Sequence, residues 1–380
     1  MTPRRLAIDA LRGHAVNMGD VHHFMHKRQF PIIEGRNVTF VWRGHADAVQ
    51  LRHFIYGLPA EIPFHHVAHT DLWYCVVEVP EMSRIEYKLN IMRGGGREWI
   101  RDPLNPNLAH DPFGANSVCQ GAGYETPTWI EPDPEARRGT LEDHIIYETQ
   151  FGEPRRITIY TPARMRPTRR YPLLIVHDGG DYLNFASAGA VLDNLIHGDE
   201  VLPMVVAFTH PGDRLREYPD DPRHVAFIAE TLLPWLEERY PLYGTPERRC
   251  LMGASFGAVA SLSIAWRHPG VFGCLLLQSG SFAFTEIGNH SRGPAFDPVV
   301  DFMNRFRADP GLPSQRVFVS CGTYETLIFE NRSIVPLFEQ IGMTVRYREA
   351  RDGHNWENWR NRMREGLSWL YPGHLWMTYE

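Results

Sequence analysis

The chain has 380 residues, 43% of them hydrophobic and 22% charged, with a formal net charge of −6. That length exceeds one ordinary small domain and implies two, and the apolar share supplies a sizeable core and excludes global disorder. No basic excess points to nucleic acid or to an anionic membrane surface, and no apolar run is long enough to span a bilayer. The five cysteines, Cys75, Cys119, Cys250, Cys274 and Cys321, are odd in number and scattered. Three lie in apolar runs, so they read as small core residues of a reducing compartment and not as a disulfide framework or a zinc site. The start Met1 to Leu6 carries the positive charge of a signal peptide, but Asp9, Arg12, His14 and Asn17 interrupt the apolar segment that such a peptide needs. The expectation is a soluble, cytoplasmic protein.

The first elements are β-strands. Residues 37–43, 48–52, 73–79 and 85–91 alternate apolar and polar side chains between turn residues. Short strands at regular spacing without a long helix predict an antiparallel, immunoglobulin-like β-sandwich. Residues 94–140 are rich in Gly, Asn-Pro and Asp-Pro and read as loop and linker, with room for segments that pack. The expected boundary separates a β domain with its linker, residues 1–125, from a second domain, residues 126–380.

The pattern changes in that second part. Residues 145–147 and 156–160 read as leading, antiparallel strands. Nearly continuous apolar runs follow at 173–176, 205–208, 250–252, 274–277, 317–319 and 345–348, and alternate with helical stretches near 187–197, 222–240, 256–268, 330–341 and 355–370. Runs without alternation are what strands buried on both faces look like. Their alternation with helices predicts an α/β fold with a mostly parallel sheet. There is no internal repeat and no low-complexity tract.

Within this pattern, Gly253-Ala254-Ser255-Phe256-Gly257 matches Gly-x-Ser-x-Gly, the sharp strand-to-helix turn that pushes a serine hydroxyl into a cleft. The context fits. Arg249 to Met252 reads as the strand entering the turn, Ala258 to His268 as the helix leaving it, and Pro269-Gly270 as its stop. A serine hydroxyl needs a base beside it, and the base needs a partner that fixes its tautomer. In an α/β-hydrolase the chain order is serine, acid, histidine. His354, after the last strand and before the last helix, is the predicted base, ahead of His268, His290 and His374. Glu325, in the loop after the strand at 317–321, is the predicted acid, with Asp297 in a Pro-flanked loop, Glu330 at a helix start and Asp352 as rivals. Its structural alternative is a carboxylate at a helix N-terminus. The oxyanion requires backbone donors. They are predicted to be the N–H of Phe256, and the N–H of Gly180 or Gly179 in the loop 177–182 that follows the strand at 173–176.

These residues resemble the putative-esterase family, which includes enterochelin esterases, feruloyl esterases and the mycolyltransferase antigens. The matching pieces are His177-Asp178-Gly179-Gly180-Asp181-Tyr182, Gly253 to Gly257, Gly322-Thr323-Tyr324-Glu325 and Gly353-His354-Asn355-Trp356-Glu357-Asn358-Trp359. They stand in the family's order. The family carries aspartate or glutamate at the position of Glu325, so the resemblance implies a Ser255–His354–Glu325 triad. Residues 38–42 and 101–107 look like the early-set, immunoglobulin-like domain of enterochelin esterases. One departure is Ala258, where the family often has a second glycine.

The implied activity is hydrolysis of a small-molecule carboxylic ester through an acyl-enzyme, of the enterochelin (ferric siderophore) esterase type, with no metal or organic cofactor required. Carbohydrate-linked feruloyl or acetyl esters are the alternative substrates, and an inactive hydrolase-fold binding protein is the alternative function. Arg348, Arg351 and Arg360 suit an anionic substrate, or are solvated faces. Trp42, Trp73, Trp99, Trp356 and Trp359 suit a sugar platform, although buried packing is their expected role. Two His-His-x-x-His runs, His22-His23-Phe24-Met25-His26 and His65-His66-Val67-Ala68-His69, lack a completing Cys or acid and are expected to be solvated or packed, the second, after Pro63, in a loop.

Overall fold

The structure is a computed structural model describing residues 5–13, 15–285 and 291–374. His290 lies outside the described residues, as do His14 and residues 1–4 of the segment read against a signal peptide. The chain forms two compact units. One comprises Met1–Thr126 with two short excursions, Thr323–Glu325 and Ala350–Gly353, and the other comprises Pro127–Gly322, Thr326–Glu349 and His354–Glu380.

The N-terminal unit holds two antiparallel sheets. The first runs in the order Ile32–Glu34, Asn37–Arg43, Leu72–Glu78, His65–His66. The second runs Glu61–Pro63, Ala48–His53, Arg84–Arg93, Gly114–Gln120, Leu108–Asp111, and Gly96–Ile100 also pairs with Arg84–Arg93. Val38, Phe40 and Trp42 join Val49, Leu51, Tyr87, Leu89 and Ile91 in one core, with the Phe40 and Tyr87 rings 4.9 Å apart, edge to face. The strand Asn37–Arg43 is buried on its other face too. Val41, Leu72 and Tyr74 pack with the 3-10 turn Ala7–Leu11 and the helix Met18–Met25, which Asn17 caps through the N–H groups of Gly19 and Asp20.

Two expectations are corrected here. Residues 94–140 are not linker throughout, because three strands lie within them. Their Asn and Asp residues look like loop but act as buried hydrogen-bonding groups. Asp102 accepts from the Tyr87 hydroxyl at 2.6 Å, and the Asn105 amide donates to the Val118 carbonyl at 2.8 Å. His65 and His66, expected in a loop, form a short strand against Tyr74 and Trp73.

The C-terminal unit is built on an eight-stranded sheet. In chain order its strands are β1 (Thr140–Ile146), β2 (Arg155–Thr161), β3 (Leu173–Val176), β4 (Val205–Thr209), β5 (Arg249–Ala254), β6 (Cys274–Gln278), β7 (Arg316–Gly322) and β8 (Thr344–Ala350), and their order across the sheet is β1-β2-β4-β3-β5-β6-β7-β8. The pairs β1–β2 and β2–β4 are antiparallel, and the pairs β4–β3, β3–β5, β5–β6 and β6–β7 are parallel. Alternate residues of the inner strands feed opposite layers. Leu173, Ile175, Leu251, Leu275, Leu277, Val317 and Val319 meet Phe256–Arg267, Asp297–Ala308 and Ile328–Gln340 on one face. Leu174, Val176, Cys250, Met252, Cys274, Leu276 and Phe318 meet Gly179–Phe185, Ala188–His197 and Trp356–Leu370 on the other. Continuous apolar runs arise because both faces are covered. The helix Asp297–Ala308 was not anticipated. Pro298 stands in its first turn, where a missing N–H costs nothing, and that proline made the segment read as a loop.

Leu276 lies on β6, an inner strand of the sheet, and is fully buried. Leu276→Ala is expected to lower the unfolding free energy by about 2–5 kcal/mol, measured by urea denaturation followed by circular dichroism.

Candidate active site

β3 and β5 are neighbours in register, with Val176 beside Met252, so the turns that follow them emerge side by side. After β5 the backbone folds sharply. Ser255 takes φ 57° and ψ −119°, a conformation an L-residue enters only under strain, and the helix Phe256–Arg267 begins at the next residue. The first motif glycine is forced by contact, because a methyl group on Gly253 would sit 2.3 Å from the carbonyl carbon and oxygen of Gly257, and at Gly257 a Cβ would crowd that of His177 at 3.1 Å. The Ser255 N–H donates to the Gln278 carbonyl at 2.9 Å, which ties the turn to the end of β6. The Ser255 side chain does not cap the helix. The hydroxyl, half-buried, instead meets the Ser281 hydroxyl at 3.1 Å.

The segment after β3, expected as a loop, is the start of a short helix, Gly179–Phe185, with Asp178 before it in the left-handed region at φ 55°. Gly179 and Gly180 are the first two residues of that helix, and Phe256 and Gly257 the first two of theirs, so none of these N–H groups has an intrahelical acceptor. Two helix N-termini thus emerge beside Ser255, an arrangement suited to a developing negative charge. Close packing selects glycine at 179, where a Cβ would lie 2.4 Å from that of Phe208, and at 180, where it would lie 2.9 Å from the His210 ring.

Sequence reasoning missed Arg214. Its Nε donates to both Asp178 carboxylate oxygens at 2.9 Å, and its guanidinium lies 5.5 Å from the centre of the Phe256 ring. Burial raises the Asp178 carboxyl, and Arg214 opposes that shift. The pair links the two turns, since a Cβ on Gly257 would come within 3.4 Å of the same carboxylate. Nothing in the spacing of Arg214 announces this, because it arrives from the loop after β4.

His354 is exposed and immediately precedes Asn355, which caps the last helix by accepting from the Asn358 N–H at 2.8 Å. Its ring meets Trp359 edge to face at 5.0 Å, and the Trp359 indole N–H donates to the Ser279 hydroxyl at 2.9 Å, just past β6. Gln278 completes the frame. It accepts from the Tyr182 hydroxyl at 2.7 Å and donates to the Trp359 carbonyl at 2.7 Å, while its own carbonyl holds Ser255. Ser255, Phe256 and the Gly179–Gly180 turn are therefore together, and His354 hangs on the same frame through Trp359. Trp359 is buried, as expected of it, and so are Trp42 and Trp73, whereas Trp99 is 49% exposed.

Glu325 is buried in the segment after β7, one of the short excursions of the N-terminal unit. There the N–H groups of Thr323 and Tyr324 donate to the carbonyls of Ala350 and Asp352 within the same unit. The rival acids are engaged elsewhere. Asp352 pairs with buried Arg84, Glu330 pairs with Arg292 in the first turn of Ile328–Gln340, and Asp297 opens a helix. Among the rival bases, His268 ends the helix that Ser255 begins, and His374 binds Asp199. Among the described residues no group of three or more His, Cys, Asp or Glu side chains is arranged to hold a metal. All five cysteines are buried.

Behind the Ser255 turn lies a second feature that the sequence did not reveal. His177 and His224 are buried with their Nε2 atoms 3.1 Å apart, and His177 Nδ1 is 3.2 Å from the Met252 carbonyl. Only one hydrogen arrangement satisfies both contacts: His177 donates from Nδ1 to the carbonyl, and His224 donates from Nε2 to His177 Nε2. Burial holds His177 down to about 4, and burial and His177 hold His224 well below its ordinary value.

The profile of the family described as "Putative esterase" matches residues 149–370, more than half the chain. The Iron(III) enterobactin esterase of Dickeya dadantii is 28% identical over 309 residues, covering 73% of this chain and 68% of that protein. The enterobactin esterase of Shigella flexneri, solved in the presence of enterobactin, superposes with a TM-score of 0.71 at 22% identity, covering 88% of this chain and 92% of that one. A ferulic acid esterase from Anaeromyces mucronatus, solved with ferulic acid, gives 0.51 at 18% identity over 64% of this chain and 95% of that one. Both superpositions have the α/β-hydrolase type of mixed sheet.

The buried imidazole pair sets a pH dependence. A histidine whose folded value is lowered binds more protons when unfolded, so its stabilisation is complete above its ordinary value of 6.5 and is lost as pH falls towards about 4. Thermal melts between pH 7.5 and 4.5 should show a falling midpoint. His224→Gln, which keeps one donor without the titration, should flatten that fall.

Proposed function

Because the chain belongs to the Putative esterase family, we propose that it is a serine carboxylic-ester hydrolase working through an acyl-enzyme, with Ser255 as nucleophile, His354 as base and Glu325 as the acid that orients it. The observation that carries this reading is the strained backbone of Ser255 at the junction of β5 and its helix, which turns the hydroxyl away from capping and beside two helix N-termini. Such strain persists only where the surroundings over-determine it, and it concentrates at functional sites.

The chemistry follows from that geometry. His354 takes the Ser255 proton as the hydroxyl attacks the ester carbonyl. The Phe256 and Gly180 amides receive the tetrahedral oxyanion. His354 protonates the leaving alcohol, and water repeats the sequence on the acyl-enzyme. Glu325 holds the imidazole in the required tautomer and offsets its charge. No step requires a metal or an organic cofactor.

The substrate class proposed is an ester of the enterochelin type, a triester with anionic aromatic arms. The coverage of this chain by enterobactin esterases from several bacteria supports it. So does Arg214, whose side chain is 34% exposed next to the Ser255 turn. The N-terminal unit is proposed to be the early-set, immunoglobulin-like sandwich, on the support of its two antiparallel sheets around one core. A cytoplasmic location is proposed from the five buried thiols, which suit a reducing compartment. Among the described residues no helix is long and apolar enough to cross a membrane.

Ser255→Ala should abolish both ester hydrolysis and fluorophosphonate labelling, and unchanged hydrolysis by that variant would end the proposal. Glu325→Gln should lower kcat by about ten-thousand-fold, the loss expected of a wrongly oriented imidazole. In a panel of ferric catecholate triester, feruloyl ester and acetylated sugar, the first should have the highest kcat/KM. Preference for either of the others would move the substrate assignment and leave the chemistry standing.

A further inference from the structure

We propose that Ser281 is a second catalytic hydroxyl, which donates a hydrogen bond to the Ser255 Oγ and stabilises the charge that develops there. The inference rests on the serine-hydrolase reading above and adds a residue to it.

The direction of the bond follows from burial. The two hydroxyls are 3.1 Å apart, and either could donate on distance alone. Ser281, however, is completely buried, and among the described residues its hydroxyl bonds to Ser255. Were Ser255 the donor, the Ser281 proton would point at no acceptor among the described residues, which costs the desolvation of a buried donor. With Ser281 donating, its proton is satisfied. The proton of the half-buried Ser255 then stays available for the base. The arrangement that satisfies the buried group is also the one that leaves the nucleophile ready.

The backbone around Ser281 is built to hold it there. The Ser281 N–H donates to the Ser255 carbonyl at 3.2 Å, so the two serines are joined through main chain and side chain. Ser279 lies in the left-handed region at φ 46°, with its N–H on the Ser320 carbonyl at 2.7 Å. Gly280 is gripped from both sides by buried Asn331, which accepts from the Gly280 N–H at 3.0 Å and donates to its carbonyl at 2.8 Å. A Cβ on Gly280 would lie 2.2 Å from the Phe282 ring. This segment is fixed by strain, an amide clamp and close packing, which is how a catalytic group is kept in productive geometry.

During attack the Ser255 proton passes to His354 while Ser281 keeps its own. The bond from Ser281 strengthens as the Ser255 oxygen gains negative charge, because donors to ionised acceptors bind more tightly. In deacylation the same oxygen leaves as an alkoxide-like group, and Ser281 stabilises it again until His354 returns the proton. The hydroxyl therefore acts on both half-reactions and on no part of substrate binding.

The test is Ser281→Ala beside the unaltered protein, with p-nitrophenyl acetate turnover, fluorophosphonate labelling rate and melting midpoint measured for each. Ser281→Ala should lower kcat and the labelling rate in parallel by about 10- to 100-fold, with KM within about threefold and the midpoint little changed. A variant that labels and turns over at the parent rate overturns the role of Ser281 alone. An unaltered protein that does not label at Ser255 overturns the hydrolase reading and this inference with it. Should the alanine variant fail to fold, Ser281→Cys carries the same test. Its thiol fills the site but donates weakly, so a parent-like rate in that variant is equally fatal to the proposal.

Discussion

The C-terminal unit depends on one steric fact, that there is no room for a side chain between residues 253 and 257. The backbone atoms of the two glycines are close enough that a methyl group would meet carbonyl carbon and oxygen at 2.3 Å. This contact lets β5 stop and a helix start with a single residue between them, and that residue is left with the strained torsions of Ser255. Strain of this kind costs on the order of 1–3 kcal/mol and survives only if the surroundings refuse every relaxed alternative. Here they do. The Ser255 N–H is held by the Gln278 carbonyl, its carbonyl by the Ser281 and Ala258 N–H groups, and its helix is buried along nearly its whole length against the sheet.

That explains why the layers on both faces of the sheet matter to the site. β3, β4, β5, β6 and β7 are buried almost end to end, so none can shift without opening a core. The turns at their carboxyl ends inherit the rigidity. Arg214 and Asp178 then fasten the Gly179–Gly180 turn to the Ser255 turn, so the donors at both helix starts share one frame.

Much of this was legible in the sequence, for a physical reason. Apolar runs buried on both faces announce themselves without any knowledge of partners, and β3, β4, β5 and β6 fall where Leu173, Val205, Cys250 and Cys274 begin such runs. The core of the Gly-x-Ser-x-Gly turn is local, since the atoms that a Cβ on Gly253 would strike belong to Gly257, four residues on. What the sequence concealed is non-local or disguised. Arg214 and the His177–His224 pair gain their meaning only from partners tens of residues away. The strands within 94–140 were hidden because Asn, Asp and Gly signal turns, while Asp102 and Asn105 use the same side chains to satisfy buried backbone and tyrosine groups. The helix at 297–308 was hidden by a proline that is harmless in a first turn. Ser281 sits four residues past the predicted strand 274–277 and differs in no local way from other loop serines. Its burial against Ser255 is a property of the fold.

The polar side chains packed around the turn bear on why a core would keep them. Gln278, Ser279, Ser281, Asn331, His177 and His224 are all fully or almost fully buried, and each makes a hydrogen bond within its own unit. Apolar residues of the same volume would pack as well, and replacing satisfied polar groups by apolar ones of matching shape is often neutral for stability. What apolar packing lacks is direction. A hydrogen bond fixes the rotation of a carbonyl, an amide or an indole about its axis, whereas a methyl contact leaves that rotation free. Gln278 fixes three elements at once in this sense: the elbow, the Gly179–Phe185 helix through Tyr182, and the last helix through Trp359. The histidine pair, by contrast, orders the layer only while both rings are neutral. The polar layer thus exchanges tolerance of acid for angular definition around one serine, an exchange with a clear physical use where a hydroxyl must be aimed.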